Sequence, residues 1–172
     1  MAAFETIIDA AELFDFAALL ENVPEVAVPE LHAAVVEGSL LLEREVKERT
    51  PVGIGGGGGL RGNIAAQPPA VLGNEVIGVV GTAMAYAVPV ELGTRPHFPP
   101  IQPLRDWVRL KLGISDEEEI EDVAWRVARK IAIRGTEGAH MFEHAFNANQ
   151  DRVQAIFAAA YERIMQQLGW RR

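Results

Sequence analysis

Two histidines and a glutamate late in the chain have the spacing of a zinc site. His140, Glu143 and His144 match the inverted zinc-protease pattern His-x-x-Glu-His. On a helix, imidazoles four residues apart share one face and can bind zinc, while the neighbouring carboxylate can act as a general base. A third protein ligand would have to come from the acids downstream, Asp151 or Glu162. The pattern defines one candidate function, a small zinc-dependent hydrolase.

Other features of the same segment favour a structural role. Met141 and Phe142 fall on the apolar stripe of an amphipathic helix predicted for residues 138–168. Both histidines then lie on the polar first turn of that helix. A chain of 172 residues also leaves little material for a peptide-binding cleft. We expect no catalytic residues, no bound metal and no cofactor.

A run of glycines at residues 53–59 formally contains the spacing of a dinucleotide-binding loop. Such loops follow a strand, whereas this run follows a predicted helix, and no Gly-Lys-Ser/Thr completes a phosphate-binding loop. Bare backbone has maximal conformational freedom. We expect a flexible loop that becomes ordered against a neighbouring subunit, with Gly55 and Gly57 as candidate contacts.

Glu91 lies in a Val-Glu-Leu-Gly-Thr segment and is the acid with the best claim to a specific role. A carboxylate followed by Gly-Thr can accept hydrogen bonds from the amides of its own turn. It can instead pair with an arginine, Arg61 or Arg95, within one subunit or between two. The sequence leaves both alternatives open.

Composition and charge exclude several function classes. Nearly half of the residues are apolar and 23% are charged, which is typical of a globular protein of one domain, here residues 1–172. There is no cysteine and so no disulfide or thiolate chemistry. The net charge of −8, without a cluster of Lys or Arg, argues against direct binding to duplex DNA. We expect Trp107 and Trp125 in the core, and Trp170 as a possible anchor for a partner.

Apolar periodicity predicts the helices. Residues 4–21 form a short amphipathic helix with acids between its apolar positions, and the absence of a preceding basic residue argues against a signal peptide. A second helix opens at Pro29 and ends near Arg49. No apolar run approaches the ~20 residues of a membrane span.

The middle of the chain predicts strands and then a helical pair. Gly73-Asn74 is a turn signal between an apolar segment and a valine-rich one. Because Pro68-Pro69 cannot donate to a ladder, we expect the first strand to be broken or to lie at an edge. Pro103 then opens a helix that Gly113 ends, and Ser115 with Glu118 forms a capping box for the next. Together with the C-terminal helix, these elements predict an α+β fold, with a small antiparallel β-sheet packed against several helices including a long C-terminal helix.

Three loop and turn segments carry a resemblance to a known family. They are a helix ending in a Pro-Val…Gly-Leu-Arg turn, a Tyr…Val-Glu-x-Gly-Thr element before a proline-rich bend, and a late Gly-Thr…Phe…Ala helix start. The positions concerned are Pro51, Val52, Gly59, Leu60 and Arg61, then Tyr86, Val90, Glu91, Gly93 and Thr94, then Gly135, Thr136, Phe142 and Ala145. In this order, over about two thirds of the chain, they resemble the tail-completion or neck family of long-tailed bacteriophages. The resemblance also makes Ala83–Leu92 a short helical turn.

The resemblance implies a virion structural protein of the neck, made in the cytoplasm of a host bacterium. It implies a non-enzymatic, homo-oligomeric ring, a hexamer in preference to a dodecamer, that joins the head connector to the tail and lets DNA pass through its lumen. The expected partners are other copies of the chain, the head connector or stopper, and the tail tube or terminator, with no sequence-specific nucleic acid and no membrane. The alternative within the same class is a tail terminator that caps the tail tube. Candidate assembly contacts are Gly55, Gly57, Leu60, Arg61, Tyr86, Glu91, Arg95 and Trp170.

Overall fold

Two long helices that pack antiparallel form the body of the protein. The structure, a computed structural model, describes residues 24–53, 58–72 and 75–168. Helix α1 spans Pro24–Arg49 and helix α5 spans Met141–Gln167. The smaller elements lie between them in the sequence. The predicted helix at residues 4–21 lies outside the described residues.

The smaller elements follow in chain order. They are a 3-10 turn (Leu60–Asn63), strands β1 (Ala65–Ala66), β2 (Ala70–Leu72), β3 (Glu75–Ile77) and β4 (Val80–Gly81), helix α2 (Ala87–Leu92), strand β5 (Gly93–Thr94), helix α3 (Ile101–Trp107) with a π-helical continuation (Val108–Leu112), helix α4 (Glu117–Arg134) and strand β6 (Thr136–Glu137). The predicted α+β class is confirmed. Within the described residues, the strands form three separate two-stranded antiparallel ladders.

Apolar clusters hold the two long helices together at both ends. Near the start of α1, Ala27 and Leu31 pack with Ile164 of α5. Near the end of α1, Val46 packs with Met141 and Ala145 of α5, and with Leu60 and Ile64 from the turn that follows the glycine run. Burying these side chains contributes about 1.5–3 kcal/mol for each large one. The helix pair is therefore the platform on which the other elements rest.

A partly buried polar network joins α1 to α5 between these apolar clusters. The carboxylate of Glu45 accepts hydrogen bonds from Arg49 on its own helix at 2.6 Å and from Arg152 on α5 at 3.1 Å. Arg152 also donates to Asn149, whose amide donates to the Ala145 carbonyl. The hydrogen bond from Arg49, followed by those from Asn149 and Arg152, lowers the pKa of Glu45 from 4.5 to about 2 against the opposing effect of burial.

Strands β1, β3 and β4 lie against α1, as the composition of the valine-rich segment predicts. β2 and β3, which flank Gly73-Asn74 in the sequence, pair antiparallel as expected, and β1 pairs with β4. Pro68-Pro69 separates β1 from β2, which confirms that the first strand is broken. The Glu43 carboxylate of α1 accepts a hydrogen bond from the Ala66 amide at 2.7 Å, and this contact fixes β1 on the helix.

Helices α3 and α4 form a hairpin with a small core of its own. Val108, Ile120 and Ala124 are fully buried there, with partly buried apolar residues around them. Gly113 ends the π-helical continuation in the left-handed conformation, as predicted. Arg105 and Arg109 both bind the carboxylate of Glu117 across the hairpin.

Helix starts differ from their predicted positions. α1 begins at Pro24 and runs through Pro29, so the prediction that Pro29 opens this helix was wrong. Pro29 is the sixth residue of the helix, so its missing N–H removes the one backbone hydrogen bond that would be donated to the carbonyl of Glu25. α3 likewise begins two residues before Pro103. The predicted Ser115 capping box was also wrong, because Asp116 is the N-cap and accepts from the Glu119 amide at 2.8 Å.

The expectation of a tryptophan core is corrected as well. Trp107 is 38% exposed and Trp125 is 44% exposed, and the α4 residues buried in the core of the hairpin are Ile120 and Ala124. No helix in the described part of the chain is long and apolar enough to span a bilayer.

The Glu45 network makes part of the stability pH-dependent. Since its pKa is lower in the folded state, the ionised Glu45 contributes stability that is fully present above pH 4.5 and is lost as the pH falls towards about 2. We expect Glu45→Gln to reduce the free energy of unfolding by about 1–3 kcal/mol at pH 7 and by much less near pH 2.5. Urea unfolding at several pH values measures this difference. Glu37→Gln, on an exposed position of α1, is the control, and an equal loss for Glu45→Gln at both pH values would contradict the assignment.

Candidate functional site

The segments that carry the family resemblance meet at the N-terminus of α5. Glu91 is only 3% exposed, and its two carboxylate oxygens accept hydrogen bonds from the amides of Phe142 and Glu143 at 3.1 and 3.2 Å. These amides belong to the first turn of α5, whose N–H groups have no partner within the helix. The positive end of the helix dipole also favours a carboxylate there. Glu91 therefore caps a helix that lies about fifty residues further along the chain.

Backbone hydrogen bonds extend this contact on both sides. The amides of Ala139 and His140 donate to the carbonyls of Val90 and Glu91 at 2.8 and 3.0 Å. β5 pairs with β6, and the Thr94 hydroxyl lies 3.0 Å from that of Thr136. We call these two segments, residues 90–94 and 135–143, the clasp. The clasp joins α2 to the start of α5.

Three glycines allow the two segments of the clasp to approach so closely. Gly93 and Gly135 both have positive φ angles, of 78° and 72°. A Cβ at Gly135 would lie 1.9 Å from the Thr94 carbonyl oxygen, and one at Gly138 would lie 2.2 Å from that of Glu91. Real Cβ atoms do not approach backbone this closely. The Gly-Thr pairs in the resemblance are therefore required by backbone packing.

Leu60 and Arg61 lie at the same end of the helix pair as the clasp, on the α1 side. Leu60 is buried against Val46 and Met141. The guanidinium of Arg61 donates to the carbonyl of Lys47 at 2.6 Å, in the last turn of α1. This position complements the negative end of the helix dipole, at a carbonyl that also accepts a hydrogen bond from the Thr50 amide at 3.2 Å. The Gly-Leu-Arg turn thus fixes the chain to the end of α1.

Both alternatives for Glu91 need correction. Its carboxylate accepts from amides, as the first alternative requires, but these amides belong to α5 and not to its own turn. Arg61 binds α1 carbonyls, so the pairing of Glu91 with Arg61 within one subunit was wrong. Arg95 is exposed, and so is Tyr86 at 45%. Gly55, Gly57 and Trp170 lie outside the described residues.

The histidine pair lies beside the clasp in a geometry different from that predicted. His140 is the N-cap of α5 and has a left-handed backbone with φ of 47°, so the two histidines do not share a regular helix face. Its ring Nδ1 lies 2.9 Å from the Glu143 carboxylate, and its ring centroid lies 5.8 Å from that of His144. Among the described residues, no group of three or more His, Asp or Glu side chains could hold a metal ion.

Sequence reasoning missed an exposed surface on the α3–α4 hairpin. The Trp125 ring packs at 5.5 Å on the Phe98 ring, and both remain exposed. The side chains of Arg126, Arg129 and Lys130 lie exposed on the same helix. The missed signal was helical spacing, since Trp125 lies off the stripe formed by Ile120, Ala124 and Ala128.

Comparison with protein families, with curated proteins and with solved structures finds no match.

Removing the charge of Glu91 should destabilise the protein through the start of α5. We expect Glu91→Gln to lower the free energy of unfolding by about 1–3 kcal/mol, because the new amide cannot accept from both N–H groups at once. The amides of Phe142 and Glu143 should then exchange hydrogen faster than those in the middle of α5. Glu118→Gln, on the exposed first turn of α4, is the matched control and should change stability by less than about 0.5 kcal/mol. Equal effects of the two substitutions would refute the capping role.

The hydrolase alternative makes a distinct prediction about metal content. We expect purified protein dialysed against zinc to retain no stoichiometric metal, since His140 and His144 lack a third protein ligand among the described residues. Elemental mass spectrometry measures the zinc retained. His140→Asn with His144→Ala is the comparison variant, because asparagine tolerates the left-handed backbone of residue 140. One zinc per chain in the parent protein, absent from the variant, would revive the hydrolase.

Proposed function

We propose that this protein is a structural component of the bacteriophage neck, where copies of the chain form a ring that joins the head connector to the tail and lets DNA pass. The observation that carries the proposal is the clasp. The motifs of the resemblance are dispersed over the sequence, yet they meet around Glu91 and the start of α5. Motifs that meet in one connected contact support a family resemblance more strongly than the same motifs taken one by one.

The contacts made by the side chains of these motifs support an assembly protein over an enzyme. The Glu91 carboxylate is engaged by two amides. Leu60 fills the core, and the Arg61 guanidinium binds backbone carbonyls. A catalytic group needs a free face directed at a substrate. The clasp instead uses its polar groups to join α2 to the start of α5 within one subunit.

The surface outside the clasp has exposed apolar side chains that suit contact with other proteins. Exposed apolar side chains lie on the β2–β3 hairpin and on the α3–α4 hairpin, the largest fractions being those of Leu72, Leu110 and Ile133. Exposed apolar side chains that cluster are typical of protein–protein contacts. The acidic net charge of the chain suits a ring through which DNA slides without sticking.

The ring itself can be measured on the purified protein. Native mass spectrometry over a range of concentrations should detect a closed cyclic oligomer, with six copies expected in preference to twelve. A closed ring has one sharp stoichiometry because every interface is satisfied. A chain that remains monomeric when purified and when mixed with its head and tail partners would contradict the proposal.

The place of the ring in the particle needs a genetic experiment. Deleting the gene from the phage that encodes it should leave DNA-filled heads and finished tails that are not joined, as seen by negative-stain microscopy. The His140→Asn/His144→Ala variant should restore joining as well as the parent protein does. Tails of uncontrolled length in the deletion would instead identify a tail terminator. Failure of the histidine variant alone would return the hydrolase to consideration.

A further inference from the structure

One face of α4 carries positive charge and apolar groups together in a chain of net charge −8. From Trp125 to the end of the helix the exposed residues are Trp125, Arg126, Arg129, Lys130, Ile133 and Arg134, whereas the preceding turns expose the acids Glu118, Glu119 and Asp122. We call the exposed residues from Trp125 to Arg134 the basic face. Ile133 is 68% exposed and Trp125 is 44% exposed, although both are large and apolar. Arg and Trp are the residues most enriched at the centres of protein interfaces.

The cations of the basic face are not neutralised within the described part of the chain. The Arg126 guanidinium makes one long contact, 3.4 Å, with the carbonyl of Asp122. No salt bridge among the described residues involves Arg126, Arg129, Lys130 or Arg134. By contrast, Arg105 and Arg109 on the same hairpin share the carboxylate of Glu117. The basic face is therefore available to an acidic partner.

The chain itself contains a segment of complementary chemistry. Residues 1–23 contain five acids and no Lys or Arg. The acids are Glu5, Asp9, Glu12, Asp15 and Glu21. Between them, Phe4, Ile7, Ile8, Ala11 and Phe14 recur at helical spacing. An acidic amphipathic segment of this kind matches a basic surface with an apolar centre, in the manner of a helix docked on a groove.

The geometry of the helix pair indicates that the acidic segment of one copy meets the basic face of another copy. The basic face ends at Arg134, next to the clasp, which lies at the C-terminal end of α1. The acidic segment joins α1 at its other end, at Pro24, and α1 with 26 residues is about 39 Å long. An 18-residue helix at positions 4–21 would be ~27 Å long and the residues after it reach ~10 Å. Folded back along its own α1, the segment would reach the clasp only with its first turn.

We propose that residues 4–21 of one copy dock on the basic face of α4 in a second copy. The acids of the segment meet Arg126, Arg129 and Lys130, and its apolar stripe covers Trp125 and Ile133. Such an exchanged arm links neighbouring subunits whether or not they close into a ring. The inference therefore stands or falls separately from the neck function.

Site-specific crosslinking can test the contact, because the chain has no cysteine of its own. Ala11→Cys copies are mixed with Ile133→Cys copies and treated with a short bismaleimide, so that any crosslink between the two cysteines joins two copies. We expect a crosslinked dimer in high yield. Leu40→Cys, an exposed apolar position on α1, replaces Ile133→Cys as the matched control and should give little product.

Charge reversal then tests the chemistry of the contact. Arg126→Glu with Arg129→Glu on the Ile133→Cys copies should lower the crosslink yield about tenfold. Asp9→Arg with Glu12→Arg on the Ala11→Cys copies should restore it, which shows that the reversed variant is folded. Yields equal to the Leu40 control, or no effect of charge reversal, would overturn the proposal. A monomer-sized crosslink in the Ala11→Cys/Ile133→Cys double variant, without dimer in the mixture, would also overturn it.

Two further outcomes separate this contact from the neck proposal. A ring of unchanged stoichiometry in a chain lacking residues 1–23, together with no crosslink between the Ala11→Cys and Ile133→Cys copies, would reject the arm and keep the ring. A crosslink between copies that never form a closed ring would keep the arm and reject the ring.

Discussion

The buried carboxylate of Glu91 lies at the point where the rest of the molecule is joined. Removing a charge from water is costly unless hydrogen bonds and favourable dipoles replace the lost hydration. The first turn of α5 supplies both, through two amides that need acceptors and through the dipole of a 27-residue helix. Because burying the Glu91 charge is costly elsewhere, its carboxylate has one favourable partner, the first turn of α5. Since α5 packs along α1, the position of this one carboxylate determines where α2 and the α3–α4 hairpin attach to the helix pair.

Side chains also bond to backbone groups at the ends of other helices. Arg61 satisfies a carbonyl at the end of α1, and Asp116 satisfies an amide at the start of α4. Glu45 is the exception, because it acts between helices and not at a terminus. These polar contacts contribute modest free energy one by one. Their larger effect is on specificity, since each would be broken by a shift of one helix turn.

Much of the fold was predictable from the sequence, and the failures have physical causes. The strand pair around Gly73-Asn74 and the end of the π-helical continuation at Gly113 follow from local turn chemistry. The partner of Glu91 did not, because it depends on a contact across about fifty residues that local rules do not contain. Trp125 was misplaced for a related reason. Its size suggested the core, whereas its position in α4 lies off the buried stripe of Ile120, Ala124 and Ala128.

The α3–α4 hairpin has its own core, and its two connections to the helix pair converge on the short ladder between β5 and β6. Two residues on each side form this ladder, and Gly93 and Gly135 lie in or beside it. A mechanical load on the hairpin is therefore transmitted through a few backbone hydrogen bonds directly to the capped end of α5. Under tension, the protein should yield at this ladder first, with both hydrophobic cores still intact on either side.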